Sequence, residues 1–406
     1  MSDSAPLAGG SDPFLRRVRL KNYKSIVRCD VELAPMTFLV GRNAAGKSNF
    51  LEALSFVTEA LQVSVEHALR RRGGLDQVCR TGGGDDQPGS FLIRLGMDLG
   101  PIEADYGFEI NCEPEGFSVG KEKLTVAGPG NRSLGFERRG DRIITSSVDV
   151  PPAVLPDRLF LTTVSGLKEF RPVFDALLSM GFYNLNPDVM RELASPDGGE
   201  LLHRDGGNIA SVIGRLKKEE PALFARLRDY LAQMIPGVED VGPVTLGPKE
   251  TLEFTQAMNG AKTERFYAQS MSNGTLRSLG ALVAVTQLAG RKLPVRLVGL
   301  EEPESALHPA AAGALMDALS EAGDTQILVT THSADLLDHA PLGSERARLL
   351  VVSAEGGASA IGVVDPASRQ AIEQDLYSAG ELLRLGQLEP DPEDLRRQEQ
   401  SELGIA

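Results

Sequence analysis

The chain has 406 residues, of which 42% are hydrophobic and 24% charged, which is the balance of a soluble globular protein with two or three domains. Its 42 basic and 56 acidic side chains give a net charge of −14, which argues against a protein that coats nucleic acid through bulk charge. A local basic face stays compatible with that total.

Two further features bear on compartment. The sequence has no apolar run long enough to predict a membrane span, and its first residues lack the pattern of a secretory signal. The three cysteines, Cys29, Cys79 and Cys112, contain no CxxC pair, so we expect neither a disulfide framework nor a zinc site. Both features favour a cytoplasmic protein without a membrane partner.

The first part of the chain predicts strands and then a helix. Alternating apolar and polar residues indicate half-buried strands over 15–20 and 27–33, and the apolar run 37–40 indicates a buried strand. Apolar residues spaced three and four apart from Phe50 to Val65 predict an amphipathic helix. After a glycine-rich break at 82–89, alternation over 91–125 predicts antiparallel strands.

The second part predicts a helical segment followed by alternating strands and helices. Residues 166–236 have a mostly helical pattern that is interrupted at Pro187, Pro196 and Pro221. From residue 251 the pattern predicts helices near 276–283 and 309–322, and strands near 295–300, 327–330 and 349–352. This alternation predicts an α/β fold with a parallel sheet and helices on both faces. The charged segment from Glu389 onward is expected to fray.

One motif lies between the buried strand and the amphipathic helix. Residues 41–48 fit the pattern G-x-x-x-x-G-K-[ST], whose glycines let backbone N–H groups wrap phosphates at a helix N-terminus. Lys47 would reach the β- and γ-phosphates and Ser48 would hold Mg²⁺. We therefore predict that ATP and Mg²⁺ are the ligands. The predicted nucleotide contacts are Gly41, Arg42, Asn43, Ala44, Ala45, Gly46, Lys47, Ser48 and Asn49.

Three weaker signals follow it. Glu301 and Glu302 come at the end of a hydrophobic strand, where one carboxylate could bind Mg²⁺ and the next could deprotonate an attacking water; a solvated acidic turn is the alternative. Ser272 and Gly274 open a helix, as an anion site or as a plain N-cap turn. His332 follows a strand, where a packed or capping histidine is the more common reading.

Taken together, the four signals resemble an ABC-type ATPase of the RecF- and SMC-like branch, whose core is split by a helical insertion. In that resemblance residues 41–48 match Walker A, 297–302 match Walker B with the catalytic glutamate, and 272–275 match the signature motif. Residues 305–308 match the D-loop, and His332 matches the switch histidine. Glu301 stands where the family usually has Asp, and the signature reads Ser-Asn-Gly-Thr. Gln77 and Gln87 are both candidates for the Q-loop, and an ordinary polar loop residue is the more common interpretation of each.

The resemblance implies a domain division and a mechanism. Two heads would sandwich two ATP molecules, with Lys47 of one subunit and Ser272 and Gly274 of the other at each γ-phosphate. Glu302 would act as general base, Glu301 and Ser48 would bind Mg²⁺, and His332 would contact the γ-phosphate. The divisions are a disordered tail over 1–13, an N-terminal ATPase lobe over 14–150, a mainly helical insertion over 151–250, a C-terminal ATPase lobe over 251–366, and a C-terminal helix with an acidic tail over 367–406.

The sequence leaves open what this ATP-dependent pairing of heads acts on, and two classes of function are considered. A DNA-associated ATPase in repair or genome maintenance would bind double-stranded DNA through basic clusters at 16–24, 70–72 and 138–142. A regulatory module would instead control a separate effector protein in bacterial defence or a toxin system. An in-chain metal nuclease is rejected because the chain after His332 is too short and has no suitable Asp-x-Asp, and a transport ATPase is a weaker third reading.

Overall fold

A computed structural model describes residues 13–80, 89–128, 132–149, 152–258, 262–287, 295–401 and Gly404. The tail expected over 1–13, apart from Pro13, lies outside these residues, as do Gln87 and nearly all of the glycine-rich break at 82–89. The strands are β1 (Leu15–Tyr23), β2 (Ile26–Glu32), β3 (Met36–Val40), β4 (Ser90–Asp98), β5 (Glu103–Glu113), β6 (Gly116–Gly128), β7 (Arg132–Arg139), β8 (Arg142–Ser146), β9 (Met180–Tyr183), β10 (Val238–Leu246), β11 (Lys249–Met258), β12 (Lys262–Tyr267), β13 (Leu297–Glu301), β14 (Gln326–Thr331), β15 (Ala347–Glu355) and β16 (Ala358–Val363).

Five parallel strands form one end of a 13-stranded sheet, in the order β15-β3-β14-β13-β9. All residues of β3 and β14 are buried, as expected for parallel strands that are covered on both faces. The predicted α/β fold with a parallel sheet is therefore confirmed. Because parallel strands end at the same edge, the loops that follow β3, β13 and β14 meet there, with the β14 loop in the middle.

Helices cover both faces of these strands. They are α1 (Lys47–Gln62), α2 (Val65–Arg70), α3 (Leu75–Val78), α4 (Phe160–Val164), α5 (Arg171–Leu178), α6 (Pro187–Arg191), α7 (Ile209–Glu219), α8 (Pro221–Met234), α9 (Asn273–Thr286), α10 (Ala312–Ser320), α11 (Ala334–Asp338), α12 (Pro366–Glu373), α13 (Ala379–Arg384) and α14 (Pro392–Gln400). The helix expected over 309–322 begins with a 3₁₀ turn at Pro309–Ala311 before α10.

The two faces carry separate hydrophobic cores, and side chains alternate between them along each strand. On β14, Leu328 packs in the core that contains the apolar side of α1, whereas Ile327 and Val329 pack in the core that contains α9. Helices α1 and α9 therefore lie on opposite faces of the same sheet.

Strand β16 pairs antiparallel with β15 and parallel with β2. Beyond it an antiparallel extension follows in the order β8-β7-β6-β5-β4-β1-β2, which confirms the antiparallel strands predicted over 91–125. It covers the outer side of α1, where Phe56 makes edge-to-face contacts with Tyr23 and Phe91. At the far end, the fully buried Glu122 accepts hydrogen bonds from Phe160 N (2.5 Å) and Leu161 N (2.9 Å) at the start of α4. The equally buried Arg138 lies 3.8 Å from Glu122.

The structure corrects the helical expectation for residues 166–236. Met180–Tyr183 forms β9, the edge strand of the main sheet, parallel to β13. Pro187 and Pro221, expected to interrupt helices, begin α6 and α8, where a first-turn proline loses no helical hydrogen bond. Helices α7 and α8 pack against a separate three-stranded sheet, β10-β11-β12.

Two further expectations were wrong. The segment after Glu389 does not fray throughout, because α14 packs on the sheet, with the buried Gln398 side chain accepting from Asp30 N (2.9 Å) and donating to Ile361 O (2.9 Å). Cys79 and Cys112 form a disulfide between the end of α3 and β5, where no disulfide was expected. Cys29 is a buried free cysteine on β2.

Candidate nucleotide-binding site

The loop between β3 and α1 has the backbone of a phosphate-binding turn. Ala44 and Gly46 adopt left-handed conformations (φ 63° and 107°), and α1 begins at Lys47 without a side-chain cap among the described residues. A Cβ atom on Gly46 would lie 2.2 Å from Ser359 Oγ, and one on Gly41 would lie 2.1 Å from Val352 O. Both glycines are therefore required by close packing, and an uncapped helix N-terminus of this kind suits an anion.

The turn is supported from behind by two serines, Ser359 on β16 and Ser25 in the turn between β1 and β2. Ser359 Oγ donates to Ala45 O (2.6 Å) and lies 2.6 Å from Ser25 Oγ. Asn49 Nδ2 donates to the same Ser25 hydroxyl at 2.6 Å. Asn49 thus contacts the support of the turn, and its predicted nucleotide contact stays a prediction.

Lys47 is buried and directed back over its own loop. Its Nζ donates to Gly41 O (2.8 Å) and Arg42 O (3.2 Å), and it lies 3.7 Å from Glu302 Oε1. Burial lowers the pKa of the Lys47 ammonium, and the Glu302 carboxylate opposes that shift. Ser48, next in the chain, is exposed at the start of α1, as are Arg42, Asn43 and Ala44 in the loop.

The two predicted carboxylates, on the last residue of β13 and on the residue after it, lie in different environments. Burial raises the pKa of Glu301 to about 7, although the nearby Arg204 guanidinium opposes the shift. Glu302 has a φ of 41°, a strained value for a non-glycine residue, and its N–H donates to Thr330 O (3.0 Å) on β14. The neighbouring strand therefore holds the strained residue in place.

Three predicted residues converge at this edge of the sheet. Glu302 Oε1 lies 3.1 Å from His332 Nδ1 and 3.7 Å from Lys47 Nζ. The carboxylate thus sits between the ammonium of the β3 loop and the imidazole of the β14 loop. Glu302 thus contacts both an ammonium and an imidazole, and a cation beside a carboxylate suits the positioning and charge stabilisation used in phosphoryl transfer.

Ser272 and Gly274 are not part of that cluster. Ser272 caps α9 by accepting from Thr275 N (3.1 Å), and α9 lies on the face of the sheet opposite α1. A Cβ atom on Gly274 would lie 2.1 Å from Ala306 O, in the loop that follows Glu302. Within one chain, the start of α9 therefore contacts the loop after β13 and not the loop before α1.

Sequence reasoning missed two side chains around the site, Arg204 and Glu304. Arg204 extends from the insertion toward α1, with its Nη2 3.8 Å from Glu52 Oε1. Glu304 is buried, and its Oε1 accepts from Thr331 Oγ1 at 2.5 Å; burial raises the pKa of this carboxyl. The segment 203–210 was a usable signal for Arg204, because Gly206 (φ 83°) and the buried Asn208 fold it into a fixed turn.

Comparisons with known proteins give two matching families. Residues 14–118 match the family described as "AAA ATPase domain", and residues 218–338 match "AAA domain, putative AbiEii toxin, Type IV TA system". The first match contains the β3–α1 loop, and the second contains Ser272, Glu301, Glu302 and His332. A search of curated proteins gave no match.

Two solved structures share the fold. One is a crystal structure titled "SmcHead bound to the C-winged helix domain of ScpA", with a TM-score of 0.54, 16% identity, and coverage of 88% of this chain and 99% of that one. The other is an Smc head domain from Pyrococcus furiosus with an extended coiled coil, bound to the C-terminal domain of ScpA (TM-score 0.50, 15% identity, 90% and 99% coverage).

The sheet and the β3–α1 loop form a P-loop NTPase fold that is shared with Smc head domains. Together with the two matched ATPase-domain families, that fold supports an SMC/RecF-like ABC-type ATPase. ATPase domains imply nucleotide binding. Among the described residues, none of the helices is both long and apolar enough to cross a membrane.

Proposed function

We propose that the chain binds ATP with Mg²⁺ and hydrolyses it slowly. The observation that carries this proposal is the convergence of Lys47, Glu302 and His332 beside the uncapped start of α1. Mg²⁺ would supply charge that stabilises the transferred phosphoryl group, and the Ser48 hydroxyl and the Glu301 carboxylate fit it as oxygen ligands. Lys47 would neutralise the β- and γ-phosphate oxygens.

The contacts of Glu302 suggest how it enters catalysis. A γ-phosphate competes with the Glu302 carboxylate for Lys47 Nζ, which now lies 3.7 Å away. The released carboxylate is then free to orient a water and take its proton as general base, while His332 donates to the γ-phosphate. The long side chain of Glu301 in place of Asp is the reason that we expect slow turnover.

We further propose that two copies complete each other's sites. Ser272 and Gly274 belong to α9, on the face of the sheet opposite α1, so the signature of one chain does not reach its own Lys47 loop. In a two-fold dimer each chain would present that helix N-terminus to the γ-phosphate held by the other. ATP would then join the heads, and hydrolysis would separate them.

The ATP-driven joining and separation of the heads has two candidate targets, DNA and an effector protein. DNA repair or genome maintenance requires a basic face, yet Arg72 and Arg138 are buried against Glu59 and Glu122, and Arg17 is paired with Asp30. Control of an effector protein requires no such face, and the family matched by residues 218–338 carries a toxin-system description. These observations favour the effector reading. The exposed Arg70 and Arg142 are the candidates for DNA contacts.

The catalytic proposal is tested by phosphate release from ATP with Glu302→Gln as the inactive variant. We expect turnover to fall at least about 100-fold, because the amide cannot accept the proton, while a fluorescent ATP analogue binds as tightly as before. Undiminished turnover in Glu302→Gln would overturn the general-base assignment. We also expect Lys47→Ala to lose binding of the ATP analogue, which tests the assignment of Lys47 to the phosphates.

The dimer is tested by light scattering on Glu302→Gln, which retains ATP. We expect a dimer with ATP and Mg²⁺ and a monomer with ADP. Adding Ser272→Arg should return the ATP-bound protein to a monomer. Binding of the fluorescent ATP analogue should not weaken, because the change lies on the face opposite α1. A dimer that ignores Ser272→Arg contradicts the exchange of signatures.

The choice between DNA and an effector protein is tested by repeating the turnover assay with linear double-stranded DNA at low salt. Stimulation that disappears in Glu302→Gln and in a double Arg70→Glu, Arg142→Glu variant supports genome maintenance. Turnover that is indifferent to DNA supports the effector-controlling module.

A further inference from the structure

Two loops carry the proposed base and the switch histidine, and a buried pair of side chains joins them. Glu304, two residues after Glu302, is only 6% exposed, and its Oε1 accepts from Thr331 Oγ1 at 2.5 Å. The same threonine oxygen accepts from Ser333 N at 2.9 Å. His332 therefore lies between Thr331 and Ser333, which are joined through the Thr331 hydroxyl. That hydroxyl is held in turn by Glu304, in the loop that carries the proposed base.

The side chain of His332 has little packing of its own. It is 43% exposed, and its contact with Glu302 is a single ring nitrogen 3.1 Å from Oε1. The position of the ring consequently depends on the backbone at Thr331 and Ser333. Ser333 in turn caps α11 by accepting from Leu336 N (3.2 Å), so the loop is anchored on both sides of the histidine.

Glu304 is held there at a cost. Its second oxygen, Oε2, is buried without a hydrogen-bond partner among the described residues. A buried unsatisfied polar atom destabilises a fold, so an apolar residue would serve better if the position only had to be filled. The carboxyl does accept the hydrogen bond from Thr331, which an apolar residue could not do.

We propose that Glu304 and Thr331 form a positioning clasp that sets His332 opposite Glu302. The clasp deepens the proposed function, because it orders the two groups that are assigned to the γ-phosphate and the attacking water. Neither residue is a catalytic residue, since both act through the loop of His332. The clasp also explains how two residues in the loops after neighbouring strands keep a 3.1 Å contact although each is partly exposed.

The test compares Thr331→Val, which keeps the shape and removes the hydroxyl, with Thr331→Ser, which keeps the hydroxyl. Thr37→Val is the matched control, because Thr37 is buried in the same sheet and its hydroxyl bonds only to Ala34 among the described residues. For each folded variant, ATP turnover, affinity for the fluorescent ATP analogue and melting temperature are measured. Glu304→Gln, which keeps an acceptor oxygen for Thr331, is compared with Glu304→Ala in the same way.

A second readout makes the clasp independent of hydrolysis. The chain has five histidines, so the ring signals of ¹³C-labelled histidine can be assigned, with that of His332 identified by its loss in His332→Gln. We expect Thr331→Val to shift the His332 signal and to lower kcat at least about 10-fold with analogue affinity unchanged. Thr331→Ser, Glu304→Gln and Thr37→Val should stay within about 3-fold of the parent protein.

The outcomes separate the two proposals. A parent protein that does not hydrolyse ATP, with a His332 signal that moves in Thr331→Val and returns in Thr331→Ser, refutes the proposed function and keeps the clasp. A Thr331→Val variant with unchanged turnover and an unchanged His332 signal overturns the clasp. An equal loss of turnover in Thr331→Val and Thr37→Val also overturns it, since general loosening of the sheet would then be the cause.

Discussion

The burial of Glu301 predicts an unusual pH dependence of stability. The folded chain raises the pKa of this carboxyl from 4.5 to about 7, chiefly through burial. The folded state therefore binds a proton more tightly than the unfolded state, and between these two pH values stability falls as pH rises. Below about pH 4.5 there is no penalty from this group, and above about pH 7 the penalty is complete, on the order of 3 kcal/mol.

Glu301→Gln removes that titration. In metal-free buffer with a chelator, urea unfolding should show the variant gaining about 2.5 kcal/mol over the parent protein between pH 5 and pH 8. Glu264→Gln, at an exposed position of β12, is the control and should follow the parent protein at every pH. A stability difference between Glu301→Gln and the parent that does not change with pH would refute the burial argument. Adding Mg²⁺ should stabilise the parent protein more than the variant.

Three further predictions concern the framework of the site. Gly46→Ala should abolish binding of the ATP analogue and destabilise the fold by about 1–3 kcal/mol, because its Cβ would lie 2.2 Å from Ser359 Oγ at a φ of 107°; retained binding would contradict the close packing. Glu122→Ala should cost about 3–5 kcal/mol in urea unfolding, since it leaves Arg138 buried without its carboxylate, and a loss below about 1 kcal/mol would contradict that pairing. Without reductant, the denatured chain should label at one thiol, Cys29, and after reduction at all three; three labelled thiols before reduction would refute the Cys79–Cys112 disulfide.

The parallel core could be predicted from the sequence because its signals are local. Strand β3 is an apolar run, α1 has helical spacing, and the glycine pattern between them specifies a turn that only small residues allow. The order of the four motifs added what no single motif supplied. The carboxylate pair and His332 were each ambiguous alone, and their meeting follows from the neighbouring positions of β3, β14 and β13.

The elements that were missed depend on tertiary contacts. Strand β9 has only four residues and lies between segments with helical spacing. It forms a strand because it pairs in parallel with β13 at the edge of the sheet. Helix α14 is rich in charge, and its place is fixed by Gln398, whose partners lie 368 and 37 residues away. The disulfide joins cysteines 33 residues apart, a pairing that spacing alone does not indicate.

Glu304 illustrates why a complete site cannot be read from its motifs. In sequence it is one more acid after Glu301 and Glu302, and a solvated turn is the ordinary expectation for such a run. In the structure Pro303 and Glu304 are buried, whereas Glu302 stays partly exposed between Lys47 and His332. The chain turns between these two glutamates, with a left-handed backbone at Glu302 and Ser305 N donating to Glu302 O (3.0 Å). The same turn therefore presents one glutamate to the site and brings the second against Thr331.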